Sequence, residues 1–169
     1  DARVRSRRSR PAPTAGVVRA ETYASGLVHP WALAFMPDGR LLVTERPGRL
    51  RIVGTDGSLS AALTGVPTVH AVGQGGLLDV AIDPDFTTNR LVYLSYAEPE
   101  GNLAGTAVAR GTLGTAGLEN VTVIYRQRPK VSGNGHFGSR LVFANDGTLF
   151  ITQGDRQNYR ERAQDLEQG

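Results

Sequence analysis

Three short polar segments contain the residues of this sequence whose side chains are best suited to chemistry. Gln74 lies among three glycines at 73–76, where the backbone can approach a ligand closely and the amide offers both a donor and an acceptor. His136 lies in the second segment, 132–140, and histidine is the side chain that exchanges protons near neutral pH. Asp155 and Arg156 form the third. Each pattern also suits a structural role: a glycine turn, a packed histidine, or a capped turn with a surface ion pair.

The remaining candidate positions point to structure rather than to chemistry. His29 precedes Pro30 and Trp31, which is typical of a packed strand entry, and His70 lies in the apolar stretch before the glycine cluster. Residues 83–89 match part of a calcium loop but lack its glycine and its final glutamate, which favours a hairpin loop. The sequence contains no cysteine, and it contains no P-loop, dinucleotide fingerprint, nucleophile elbow or zinc spacing.

The elements that must position these residues are short β-strands. After Pro13, apolar runs alternate with Gly, Asp and Asn, and the chain has 21 glycines and 9 prolines, a pattern that predicts an all-β fold. Asx-Gly pairs between the runs predict tight hairpin turns, and only Tyr159–Glu167 has the composition of a helical turn. The predicted strands are Val17–Tyr23, Ala32–Phe35, Leu41–Glu45, Arg49–Val53, Leu77–Ile82, Leu91–Tyr96, Gly105–Arg110, Val121–Arg126, Ser139–Phe143 and Leu149–Gln153.

One unit of strand, tight turn and strand recurs at 32–46, 78–96 and 139–155. Repetition on this scale is typical of a β-propeller, whose blades surround a central channel. At roughly 45 residues per blade the chain holds about three blades, whereas a closed ring needs about four to eight. The sequence is therefore expected to be an N-terminal part of a longer protein. Loops beside the innermost strands converge on the channel, so we expect one pocket to receive Gln74, His136 and Asp155.

The charge distribution separates a tail from a folded region. The net charge is +3, but residues 1–10 alone contain five arginines and one aspartate, which leaves 14 basic and 15 acidic residues in the rest. We predict a basic, solvated tail at 1–16 and a partial propeller at 17–169. A nearly neutral folded region gives no reason to expect a nucleic-acid partner. No apolar stretch approaches about 18 residues, so no transmembrane segment is expected.

Four segments in the same order carry a family resemblance: His29–Phe35, Pro37–Leu50, Gly73–Asp79 and Gly135–Leu141. They resemble the soluble aldose sugar dehydrogenases of the glucose/sorbosone dehydrogenase family, which use pyrroloquinoline quinone (PQQ) and Ca²⁺. The resemblance implies a six-bladed propeller in the periplasm or outside the cell, with a closing strand around Arg19. It also implies oxidation of an aldose at C1 to the lactone, with hydride transfer to the quinone.

The same resemblance assigns roles to the three polar segments. His136 matches the family's general base and lies in contact with the quinone, Asp155 matches an acidic position that orients this histidine, and Gln74 matches a residue that hydrogen-bonds the sugar. Gly135 stands where some members have a substrate-binding aspartate, which implies a broad aldose range. The ligands of PQQ and Ca²⁺ come mainly from later blades, so we expect no metal ligand in this chain and no activity from the chain alone.

Two other functions remain open from the sequence. A propeller lactonase or related hydrolase would hold Ca²⁺ through acidic side chains at the channel, where this sequence offers only Asp155. A non-catalytic propeller module would present its loops to a polysaccharide or a protein. Open sheet edges in a partial ring also predict self-association, and the electron acceptor of a dehydrogenase is not indicated.

Overall fold

The computed structural model describes Gly16 and residues 18–165, and its regular structure is almost entirely antiparallel β-sheet. The prediction of an all-β chain is confirmed. One short α-helix, α1, covers Phe86–Asn89, and one 3₁₀ turn covers Arg160–Arg162. The strands are β1 (Pro30–Phe35), β2 (Leu41–Glu45), β3 (Arg49–Val53), β4 (Leu77–Ile82), β5 (Leu91–Glu100), β6 (Leu103–Leu113), β7 (Leu118–Arg126), β8 (Gly138–Phe143) and β9 (Leu149–Gln153).

The strands form three sheets, of three, four and two strands. Their orders are β1-β2-β3, β4-β5-β6-β7 and β8-β9, so neighbours in space are always neighbours in sequence. Tight turns make this meander possible. At the β1–β2 and β8–β9 connections the turn glycines Gly39 and Gly147 have φ values of 86° and 85°, which the Asx-Gly pattern supplies without strain.

Strands β4, β5 and β6 of the four-stranded sheet are buried on both faces. On one face Leu77 and Leu94 belong to the main apolar cluster, which also contains Leu42 and Leu50 of the three-stranded sheet. On the other face Tyr93 packs with the residues of β8 and β9, and its ring meets Phe143 edge-on at a centroid distance of 5.1 Å. Burial of these side chains fixes the order in which the three sheets pack.

The predicted strand bounds agree with the structure where the turns are tight, and β2, β3, β4 and β9 begin and end where predicted. The β5–β6 hairpin is longer than predicted, with register from Leu91↔Thr112 to Glu100↔Leu103. Pro99 is tolerated in it because β4 pairs with β5 only as far as Tyr96, which leaves the outer part of β5 as an edge. β1, β7 and β8 also begin earlier than predicted, at Pro30, Leu118 and Gly138.

The strand predicted at Val17–Tyr23 is wrong for the residues that the structure describes. Residues 18–29 form no strand, because no neighbouring chain segment pairs with them. They are held instead by single contacts: the Tyr23 hydroxyl donates to the Gly54 carbonyl at 3.1 Å, and the Val28 N–H donates to Glu45 at 2.6 Å. Val17, the remaining residues of the predicted tail apart from Gly16, and residues 166–169 lie outside the described residues.

The helical turn predicted at Tyr159–Glu167 is present in part, as the 3₁₀ turn Arg160–Arg162. No helix in the described part of the chain is long and apolar enough to cross a membrane.

Candidate active site

The pairing of β8 with β9 brings His136 and Asp155 together. Gly138 pairs with Gln153, so a residue just before β8 must lie beside a residue just after β9. His136 Nδ1 and Asp155 Oδ1 are 2.8 Å apart. This part of the site therefore follows from the local order of strand, turn and strand.

Asp155 is held as an anion by two hydrogen bonds to one oxygen. Oδ1 accepts from the Gln157 N–H at 2.9 Å as well as from His136. These bonds, the backbone one first, hold the pKa of the Asp155 carboxyl below its ordinary value. Since an ionised carboxylate accepts only, the proton of this pair lies on Nδ1 of the imidazole.

The His136 backbone is strained and is fixed at both of its polar groups. Its φ is 49°, in the left-handed region that side-chain-bearing residues rarely adopt. Its N–H donates to Gln74 Oε1 at 2.9 Å, and its carbonyl accepts from the Arg156 N–H at 3.1 Å. Gly154 is required beside it, because a Cβ there would lie 2.0 Å from the His136 carbonyl oxygen. A strained residue that several surrounding contacts hold in place is common at functional sites.

The loop that carries Gln74 is tied to the loop that carries His136. The Gln74 N–H donates to the Asn134 carbonyl at 2.8 Å, and the Asn134 side-chain oxygen lies 2.8 Å from His70 Nε2. Arg46 Nη1 donates to the two carbonyl groups on either side of Gln74, at 2.6 and 3.1 Å. His70 is therefore a structural residue, as the sequence indicated, and it contributes by supporting the site.

Neither Nε2 of His136 nor Nε2 of Gln74 has a hydrogen-bond partner among the described residues. The imidazole is 48% exposed and Asp155 is 33% exposed. Both His136 and Gln74 line an open cavity of about 450 Å³, which is within the size range of small-molecule sites. The cavity is lined by Trp31, Arg46, Gly73, Gln74, Leu78, His136, Phe137 and Gly138. In this cavity His136 thus offers a proton acceptor and Gln74 a donor to a bound molecule.

A buried carboxylate anchors β8 to the four-stranded sheet directly behind the cavity. Asp79 accepts from the Leu141 N–H at 2.7 Å and from Arg140 Nη1 at 2.9 Å. The Arg140 guanidinium also lies 5.2 Å from the centre of the Trp31 ring. Asp79 and Trp31 carried no functional signal of their own in the sequence.

The sequence pattern around Arg156 also suits a surface ion pair, but the structure places this side chain elsewhere. Its side chain is buried, and it donates to the main-chain carbonyls of Gly133, Gly135 and Ala104. A lone arginine after Gly-Asp is typical of a surface turn, so this burial is not predictable from the sequence.

The predicted hairpin loop at 83–89 contains α1 and shows no metal-binding geometry. Asp83 accepts from the Asp85 N–H, the Asn89 side chain and the Tyr93 hydroxyl, at 3.0, 2.8 and 3.0 Å. Across the described residues, no group of three or more His, Asp or Glu side chains is arranged to hold a metal ion.

Residues 27–169 match the model of the Glucose / Sorbosone dehydrogenase family. The chain is 49% identical over 155 residues to the aldose sugar dehydrogenase YliI of Escherichia coli, which covers 89% of this chain and 41% of that protein. It is 31% identical over 143 residues to quinoprotein glucose dehydrogenase B of Acinetobacter calcoaceticus, covering 78% of this chain and 30% of that protein. The chain thus spans less than half the length of these relatives.

Solved structures also match this chain over less than half of their own length. The soluble aldose sugar dehydrogenase of E. coli in its apo form superimposes with a TM-score of 0.81 at 47% identity, over 88% of this chain and 44% of that one. The PQQ-bound aldose sugar dehydrogenase of Streptomyces coelicolor gives a TM-score of 0.72 at 29% identity, over 80% of this chain and 41% of that one.

Proposed function

The chain belongs to the glucose/sorbosone dehydrogenase family, and we propose that it provides the proton-accepting part of a PQQ-dependent sugar dehydrogenase. The observation that carries this proposal is the His136–Asp155 pair, whose unpartnered Nε2 atom belongs to a side chain that lines a cavity of about 450 Å³. The reaction is the oxidation of an aldose at C1 to its lactone.

In this reaction His136 Nε2 takes the proton of the anomeric hydroxyl. Asp155 keeps the other proton on Nδ1 and stabilises the imidazolium that forms. The Gln74 amide N–H donates to a sugar oxygen, since its carbonyl oxygen is already bound to the His136 N–H. When PQQ is bound, its quinone accepts the hydride that leaves C1.

The residues at the cavity fit one side of a planar, anionic quinone. Trp31 offers aromatic surface, and Arg46 is the one cationic side chain that lines this cavity in the described part of the chain. We propose that His136 and Arg46 contact the cofactor. The remaining PQQ ligands and the Ca²⁺ ligands are proposed to lie in protein segments that correspond to the rest of the relatives' length.

The three antiparallel sheets support a six-bladed propeller, in which β4–β7 form one complete four-stranded blade. On this proposal residues 17–169 are a partial propeller and residues 1–16 a basic tail. The protein is proposed to act in the periplasm or outside the cell, and the 169-residue chain alone is proposed to be inactive.

The test of the proposed base is His136→Gln in the natural gene product that contains these residues, reconstituted with PQQ and Ca²⁺. Sugar-dependent reduction of an artificial acceptor should fall by about 10²- to 10⁴-fold, the usual contribution of a general base. His29→Gln is the matched control, because His29 lies outside the cavity lining, and its turnover should stay within about twofold of wild type. Wild-type turnover by folded His136→Gln would refute the assignment.

A further inference from the structure

We propose that Arg156 is a positioning residue of this site, whose buried guanidinium sets the geometry of the His136–Asp155 pair. The inference rests on the proposed role of His136, but its central observation is independent of any cofactor. It is the set of contacts that one arginine makes with the segment preceding β8.

The Arg156 guanidinium is enclosed by main-chain carbonyls. Arg156 is 1% exposed. Nη2 donates to the Gly133 carbonyl at 2.6 Å, Nε to the Gly135 carbonyl at 3.1 Å, and Nη1 to the Ala104 carbonyl at 2.6 Å. The charged plane also stacks on Phe137, with 3.8 Å between its carbon and the ring centre. A single side chain thus binds the His136 segment to β6.

Main-chain contacts complete this attachment. The Arg156 N–H donates to the His136 carbonyl at 3.1 Å, so Arg156 binds three of the four residues from 133 to 136. Because Asp155 is the preceding residue, the same attachment fixes the distance between its carboxylate and the imidazole. Arg156 has a φ of 51°, and His136 has a φ of 49°, so both backbones are strained. The hydrogen bonds of Arg156 to residues 133–136 hold both of them in place.

A contribution to the stability of the fold does not by itself explain why the Arg156 guanidinium is buried. No carboxylate forms an ion pair with Arg156 among the described residues, and a buried cation without an anionic partner is costly. Burial accordingly lowers the pKa of the Arg156 guanidinium. The Arg156 guanidinium, however, reaches these three carbonyls from three separate nitrogens held in one plane, whereas the three N–H donors of a lysine ammonium all lie on one nitrogen. Lysine, with one nitrogen, cannot replace it.

The first test reads the geometry directly, without the cofactor. The gene product is labelled with ¹⁵N-histidine, and the Nδ1–H signal of His136 is assigned by its loss in His136→Gln. Arg156→Gln and Arg156→Lys should each lose or broaden this signal. The control is Leu50→Ala, which removes a fully buried side chain of β3 in the main core and lowers stability without touching the site. Its signal should be unchanged.

The second test is kinetic, on the enzyme reconstituted with PQQ and Ca²⁺. A small misplacement of a reacting group costs about 100-fold in rate, so Arg156→Gln should lower kcat about 100-fold while the sugar KM changes less than about threefold. Arg156→Lys should not recover it. Millimolar guanidinium should partly restore kcat to Arg156→Ala, whereas methylammonium should not, because only the planar ion matches three carbonyls.

The outcomes separate the two proposals. If His136→Gln remains active but the Nδ1–H signal still disappears in Arg156→Gln, the role of His136 as base fails and the positioning role of Arg156 stands. If Arg156→Gln keeps the signal and loses no more kcat than Leu50→Ala, Arg156 is only a structural residue and the inference is overturned.

Discussion

Replacing Asp79 with alanine should destabilise the protein by about 1–4 kcal/mol, because this carboxylate joins the sheet of β4 to that of β8. Its loss leaves the N–H of Leu141, a residue only 5% exposed, without its acceptor, which costs about 1–3 kcal/mol. Arg140 loses a partner too, but its side chain is 57% exposed and can turn to water, so this adds about 0–1 kcal/mol. The neighbouring bridge from the Ser95 hydroxyl to the Ser139 carbonyl, 2.7 Å long, remains and prevents a larger loss.

The measurement is urea unfolding of wild type and Asp79→Ala, with native-state hydrogen exchange at the Leu141 amide. The midpoint should fall with an unchanged m-value, and exchange at Leu141 should accelerate more than exchange at Leu50 of the distant β3. Asp38→Ala is the control, because Asp38 pairs with Arg40 on an exposed turn and should cost less than about 1 kcal/mol. A loss below about 0.5 kcal/mol in Asp79→Ala would show that the two sheets are joined by apolar packing alone.

Two further substitutions test the charges of the site and its support. Burial alone would raise the pKa of Glu45, but hydrogen bonds from Arg49 and the Val28 N–H outweigh it, and the pKa is lowered. The ionised Glu45 carboxylate therefore stabilises the fold above about pH 4.5. This stabilisation is lost as the pH falls through the lowered pKa of the folded state. Glu45→Gln should cost about 2 kcal/mol at pH 7 and less at pH 3 in urea unfolding, and a pH-independent difference would contradict this. Asp155→Asn should lower kcat only about tenfold. The Gln157 N–H, which shares Oδ1 with His136, would bind the amide oxygen of asparagine, so that oxygen still faces His136 and the imidazole keeps its proton on Nδ1. A loss of kcat equal to that of His136→Gln would show that the imidazole tautomer had changed.

The sequence could predict the strands whose ends are set by local chemistry. β2, β3, β4 and β9 are bounded by turn-forming Gly, Pro, Asp and Asn residues, and their apolar patterns are complete within the strand. The segment Val17–Tyr23 has the same apolar and β-branched composition, but a strand also needs a hydrogen-bonding neighbour, and the described residues provide none. The length of the β5–β6 hairpin could not be predicted for a related reason. Pro99 can lie in β5 only because β4 no longer pairs with β5 at that point, and the sequence does not show where that pairing ends.

The sequence predicted one pocket for Gln74, His136 and Asp155. Gln74 and His136 line one cavity, whereas Asp155 lies outside its lining and joins the site through its hydrogen bond with His136. Asp79, Arg46 and Arg156 act across 62, 29 and 52 residues of sequence respectively. Their roles depend on contacts between sheets, which no local pattern encodes.

Two loops of the site are built on the same principle, which accounts for the glycines around them. Arg46 binds the carbonyls on both sides of Gln74, and Arg156 binds those on both sides of Asn134. Carbonyls can converge on one guanidinium only where the backbone turns sharply and neighbouring chain segments approach closely. A Cβ at Gly76 would lie 2.1 Å from the Arg46 carbonyl oxygen, and a Cβ at Gly135 would lie 2.5 Å from the Gln157 side chain. Gly76 therefore makes room for Arg46 and Gly135 makes room for Gln157, while the two arginines restore the rigidity that the glycines remove. Substituting either partner should loosen the side chain that faces the cavity, even though neither partner carries out the proton transfer.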